Sequence, residues 1–194
     1  TMKRKLLLAV ILPVVFIASA NAQVTLYKGI KSGMSESELT AYLASDPDFT
    51  YEKITDDLDY YKITLSGKLY FFRSGFNKYA ELYLIDFISD ASYPSVSDTG
   101  LRAHVEELAG ILRERYGEPF FEGWNDLSRF SDDNESIVYL FGASPDVGCI
   151  TIEQNSDGTY SAAVAYEDVT RELLDDEDSV AVDSAAADDE DYIF

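Results

Sequence analysis

Acidic side chains outnumber every other reactive group in this chain, so paired carboxylates are the first candidates for catalysis. Asp56, Asp57 and Asp59 cluster between two strand-like runs, and Asp132 with Asp133 between two others. Two carboxylates roughly 5–9 Å apart can hydrolyse a glycosidic bond, but acids between strands read first as solvated turn residues. His104 is the only histidine. It sits beside Leu101, Val105 and Leu108 on a helical stripe, where a partly packed surface residue is expected in preference to a general base. No G-x-S-x-G nucleophile motif and no Cys/His metal spacing occurs, so neither cofactor nor metal is expected. Setting Glu153 as position 1 of a calcium loop puts Asn155, Asp157 and Gly158 at 3, 5 and 6, but Val164 at 12, where a bidentate Glu belongs. A hairpin turn is expected there, leaving calcium at most as a loose counter-ion of the acidic surface. Cys149 opens the run CITIE and reads as a buried strand thiol. Trp124, with Phe120 and Phe121 in EPFFEGW, either folds onto the core or forms a recognition platform, since Trp and Tyr dominate binding hot spots.

Charge and termini bound the function further. Lys3, Arg4 and Lys5 precede an apolar run from Leu6 to Ala18, and Ser19-Ala20-Asn21-Ala22 places small residues before Gln23. That is the layout of a secretory signal peptide cleaved after Ala22. It implies a periplasmic or secreted protein, and with no cysteine at the cut the mature form is expected to lack a membrane anchor. The whole chain carries −21, and the three leader cations account for a charge of −24 beyond residue 22. Nucleic acid is therefore not an expected partner, since neutralising phosphates needs clustered Lys and Arg. One cysteine permits no internal disulfide, so packing alone must hold the fold. Residues 172–194 hold ten acids and no base, which predicts a disordered acidic tail behind a domain spanning 23–171.

The elements that must position these groups are legible in outline. In GMSESELTAYL, Ser35 is a helix cap, Glu38 completes a capping box, Met34 and Leu39 can staple the entry, and Pro47 stops a helix over 36–44. Strands follow at 49–54, 60–65, 68–73 and 81–89, with Ser66-Gly67 as a two-residue hairpin turn. Leu101, Val105, Leu108 and Leu112 then mark the apolar stripe of a long helix capped by Asp98 and ended by Gly117 and Pro119. Gly110 inside it predicts a close approach to a neighbour. A second strand set lies at 136–141, 148–153 and 160–166, with 119–124 a further strand or an aromatic loop. The expected fold is α+β: an antiparallel sheet of about seven or eight strands with two packed helices. The order suggests a degenerate tandem α-β-meander repeat, with halves at 23–92 and 93–171.

Two motifs carry a family resemblance. Gly33-Met34-Ser35 followed by Glu38-Leu39, and later Leu112 to Tyr116-Gly117-Glu118-Pro119, resemble the helix entry and exit of small exported bacterial proteins. These are the BamE-type (SmpA/OmlA) outer-membrane-assembly lipoproteins and the β-lactamase-inhibitor-protein-like fold. The resemblance implies an α-β-meander fold. The lipoproteins' lipidated cysteine is missing here, so their anchoring and assembly role do not carry over. The inhibitor-like fold implies an aromatic sheet face able to grip an enzyme. Tyr70, Phe72, Tyr83 and Phe87 are candidates for it, although each aromatic taken singly is expected in the core.

Tyr192-Ile193-Phe194, three residues that water does not favour, close the acidic tail. They read as an accidental end, as a likeness to the acidic tips of single-stranded-DNA-binding proteins, or as a likeness to the C-termini that periplasmic PDZ domains capture. The resulting expectation is an exported, soluble, non-catalytic binding or adaptor protein with a protein partner. Trp124, Phe120, Phe121, Tyr192, Ile193 and Phe194 are its candidate binding residues. A secreted enzyme inhibitor and a carboxylate-dependent hydrolase are the alternatives.

Overall fold

In the computed structural model, which describes residues 23–55, 58–124 and 135–173, a capped helix opens each of two similar halves. Helix α1 (Glu36–Ser45) starts as the sequence predicts: Ser35 Oγ accepts from the Glu38 amide, and the Glu38 carboxylate accepts from the Ser35 amide at 2.8 Å. Strands β3 (Phe49–Thr55), β4 (Leu58–Leu65), β5 (Lys68–Phe76) and β6 (Leu82–Ser89) follow as a meander. Side chains within 53–59 are not described. The β4–β5 hairpin turns at Ser66 (φ 49°) and Gly67 (φ 76°), the paired left-handed conformations of a tight type I′ turn. Ahead of α1, β1 (Thr25–Tyr27) and β2 (Ile30–Lys31) form a separate two-stranded sheet, too short to stand out in the sequence.

The second half repeats the plan. Asp98 accepts from the Gly100 and Leu101 amides to start α2 (Thr99–Tyr116), and Gly117 (φ 80°) ends it. Strands β7 (Phe121–Glu122), β8 (Glu135–Ala143), β9 (Asp146–Gln154) and β10 (Tyr160–Asp168) follow, and α3 (Val169–Leu173) closes the described chain. The strand order is β3-β4-β5-β6-β10-β9-β8-β7, antiparallel throughout. The last strands of the two meanders thus meet at the centre, with Val164 opposite Phe87 and Ala165 opposite Asp86. This is the tandem α-β-meander arrangement, joined into one eight-stranded sheet.

Both long helices lie on one face of that sheet and define the main core. Leu101, Val105, Leu108 and Leu112 of α2 are buried there with Tyr70, Phe72, Phe87, Ile150, Ile152 and Val164. Three of the four aromatics considered as a gripping face are therefore core, while Tyr83 packs half-buried with a smaller cluster, Leu84, Leu140, Val147, Cys149, Ala165 and Val169. Close approach of helix to sheet occurs at Gly148, where a Cβ would stand 2.7 Å from the Tyr116 ring. At Gly110 it does not: a Cβ there meets nothing within 4 Å, because this residue lies off the sheet-facing stripe.

The two helices cover the sheet unequally. Helix α2 has 18 residues and packs across β8, β9 and β10. Helix α1 has 10 residues and packs chiefly on β3. At 1.5 Å per residue these are about 27 Å and about 15 Å long. The first half of the sheet is consequently the less covered half.

Candidate functional site

The uncovered area begins with a row of rings fixed by strand register. Tyr51 of β3 pairs with Tyr61 of β4, Tyr61 with Phe72 of β5, and Phe72 with Phe87 of β6. All four lie on the helix-bearing face, since cross-strand partners share a side. Exposure falls inward along the row, from 51% at Tyr51 through a half-buried Tyr61 to 7% at Phe72 and 0% at Phe87. The Tyr51 and Tyr61 rings stand 5.4 Å apart and tilted, and Phe49 meets Phe72 edge-on at 5.7 Å. The inner rings close the core, and the outer two are left at its mouth.

Helix α1 forms the other wall. Leu39 and Leu43 point inward and are 3% exposed, while Glu36, Thr40 and Ala44 follow the outer side. The groove between helix and sheet measures about 740 Å³ and is lined by Leu39, Leu43, Phe49, Tyr51, Tyr60, Tyr61, Phe72 and Phe76, with Glu36, Thr40, Ala44 and Ser74. The volume falls within the range of ligand sites, and the walls mix aromatic and aliphatic side chains with almost as much polar surface. Among the described lining residues Glu36 is the one carboxylate, and no histidine or cysteine is present. Such walls can receive an apolar or aromatic group and offer hydroxyls at the rim.

The residues singled out from sequence fall elsewhere. Trp124 is half-buried; its Nε1 donates to Tyr139 Oη at 2.8 Å and Glu106 Oε1 at 3.3 Å, and the Tyr139 hydroxyl donates to Glu106 at 2.6 Å. The Arg102 guanidinium covers the Trp124 ring at 4.8 Å. The indole thereby ties β8 to α2. Phe121 packs on the opposite side of the sheet with the Leu84–Cys149 cluster, and Phe120 is 50% exposed. Phe120, Phe121 and Trp124 do not form one platform, because successive residues of an extended segment face opposite ways. Tyr192, Ile193 and Phe194 lie outside the described residues, as do the leader, Asp56, Asp57, Asp132 and Asp133; the Asp59 side chain is likewise undescribed.

His104 is buried at 2% exposure, contrary to the surface position expected from its stripe-edge spacing. Tyr70 Oη lies 2.6 Å from Nε2, and Tyr93 Oη 3.0 Å from Nδ1. Two tyrosines from β5 and the β6–α2 connection close over the edge of the stripe, a contact that helical spacing cannot reveal. Desolvation, with Lys68 nearby, pulls the His104 pKa below its ordinary value, and burial raises that of Tyr70. A neutral imidazole donates from one nitrogen and accepts at the other, so two hydroxyls saturate it. The role is structural.

On the face opposite α1 and α2, Arg73 spans the seam between the halves. Its Nε and Nη2 donate to both Asp86 oxygens at 2.9 Å, and its Nη groups reach Glu153 on β9. Burial, the first cause, and the neighbouring Glu135 and Asp86 raise the Glu153 pKa, although Arg73 opposes them. Cys149 is a buried thiol, as its place in CITIE predicts. Asp157 accepts from the Thr159 amide and hydroxyl, which makes the Asn155–Gly158 segment a hairpin turn.

Comparison with family models, curated proteins and solved structures found no match to this chain. Among the described residues no helix is long and apolar enough to cross a membrane. The groove residues Tyr51 and Tyr61 were missed in the sequence because each reads only as one more strand aromatic. The available signal was the short span between the Ser35 cap and Pro47, which limits how much sheet α1 can cover.

Proposed function

We propose that this is an exported, soluble binding or adaptor protein that works without catalysis, and that its ligand occupies the groove between α1 and the β3–β5 face. The observation that carries the reading is the aromatic row: Tyr51 and Tyr61 present rings at the mouth of a 740 Å³ groove whose floor is packed core. Tyrosine offers a large contact area with few rotors to freeze, which suits recognition. Rings on a sheet whose register is fixed from β3 to β6 are held ready before a ligand arrives, which lowers the ordering cost of binding. One exposed carboxylate at the rim does not favour hydrolysis by paired carboxylates. The leader-like N-terminus supports export, and the charge of −21 argues against a nucleic-acid ligand.

The test is quantitative capture from an envelope extract by residues 23–194, beside the variants Ala44→Trp and Trp124→Phe. Ala44 is an exposed helical position on the groove wall, so an indole there fills the groove without entering the core. A partner retained by the parent and by Trp124→Phe, and lost with Ala44→Trp, is expected. A partner held equally by Ala44→Trp, but lost when residues 174–194 are removed, would move binding to the acidic tail.

A further inference from the structure

Strand β3 is the sheet edge that borders the groove. Its inner side pairs with β4 from Phe49 opposite Ile63 to Thr55 opposite Leu58, and no described strand pairs with its outer side. It has seven residues, FTYEKIT, with no proline and a register shift only at the far end, between Lys53 and Thr55. Long regular edges are normally blunted, because their outward N–H and C=O groups template another strand. The opposite edge is short: β7 has two residues. Side chains alternate along β3, with Phe49 and Tyr51 on the groove side and Thr50 and Glu52 on the other.

A strand added about 4.8 Å outside β3 would place every second side chain on the groove side. There it would meet Tyr51, Thr40 and Ala44 at the groove mouth. We propose that edge and groove form one peptide-recognition site: an extended segment of a partner protein adds to β3 as a ninth strand and inserts an aromatic or large aliphatic side chain beneath α1. The proposal deepens the groove reading and rests on it. Main-chain pairing supplies affinity and the groove supplies side-chain selection, the division of labour in strand-addition binding. Charge fixes the rest of the partner. Glu36 and Glu38 of α1 are exposed beside the site, Glu52 on the other side of β3 is paired with Lys62, and the chain carries 36 acids against 15 bases. The segment taken up is therefore basic, with Lys or Arg alternating with apolar residues.

The experiment uses fluorescein-labelled octapeptides against residues 23–194. One alternates Lys and Phe, one alternates Glu and Phe, and two are Lys/Phe peptides N-methylated at every second amide, in opposite phases. The uncharged dye N-phenyl-1-naphthylamine reports the groove independently. Binding of the Lys/Phe peptide is expected, at least tenfold weaker for Glu/Phe and for one methylation phase only. Amides of residues 50–54 should gain protection from hydrogen exchange, and Ala44→Trp should lose peptide and dye alike. Peptide binding with no phase effect and no protection of β3 would overturn strand addition and leave the groove reading standing. Protection of β3 that rises with protein concentration, without peptide, would give the edge to a second copy and overturn the basic partner. Failure of both peptide and dye would remove both readings.

Discussion

Replacing His104 by leucine removes the acceptor and donor shared by two tyrosine hydroxyls, 2.6 Å and 3.0 Å away. Tyr70 is 1% exposed, so its hydroxyl has no route to water and loses about 1–3 kcal/mol. Tyr93 is half-buried and can turn to solvent, adding roughly 0.5–1 kcal/mol. His104→Leu should therefore cost about 1.5–4 kcal/mol in urea unfolding at pH 7.5. Tyr70→Phe alone strands one imidazole nitrogen and should cost about 1–3 kcal/mol. The double variant removes both partners, so its cost should fall below the sum by about 1–2 kcal/mol. A second readout is pH. The folded His104 pKa lies below the ordinary value of 6.5, so below that pH the unfolded chain takes the proton first. The stability due to neutral His104 is present above about pH 6.5 and is lost as pH falls through the lower, folded value. Comparing the parent with His104→Leu isolates this slope from that of Glu153, whose raised pKa acts in the opposite direction. Additive single costs, or identical pH slopes in parent and variant, would refute the buried relay.

Other perturbations follow from the packing. Gly110→Ala should stabilise by about 1 kcal/mol and raise Tm by roughly 2–4 °C in a thermal melt, because the added methyl meets nothing within 4 Å. Gly148→Ala should cost roughly 1–3 kcal/mol in urea unfolding: its methyl would press on a Tyr116 ring anchored by a 2.6 Å hydrogen bond to Asp146. Trp124→Phe should keep the ring packing but lose the bonds to Tyr139 and Glu106, costing about 1 kcal/mol in the same assay and leaving groove binding unchanged.

The helix starts were legible because their signals are local. Ser35, Glu38 and Asp98 make within one turn the contacts their spacing announces. Strand runs and the Ser66-Gly67 turn were legible for the same reason, and the repeated order of helix and strands foretold the paired meanders. What escaped the sequence depends on register and on contacts between distant segments. His104 reads as half-exposed along its own helix, and Tyr70 and Tyr93, 34 and 11 residues earlier, close over it. Gly110 and Gly148 show the same limit: the interior helical glycine is roomy, and the strand glycine is the one a helix presses against. Phe120, Phe121 and Trp124 are close in sequence but are divided between faces by the extended backbone. The groove required two facts together, the brevity of α1 and the alignment of Tyr51 with Tyr61, and no local pattern supplies the second.

The measurement closest to the central claim is a fluorescence titration of residues 23–194 with N-phenyl-1-naphthylamine, run beside Ala44→Trp and Trp124→Phe. Saturable binding near one dye per chain should be kept by Trp124→Phe and weakened at least tenfold by Ala44→Trp, with the unfolding midpoint of the groove-filled variant unchanged. Equal binding by Ala44→Trp and the parent, or loss with Trp124→Phe alone, would contradict the groove between α1 and β3 as the binding site.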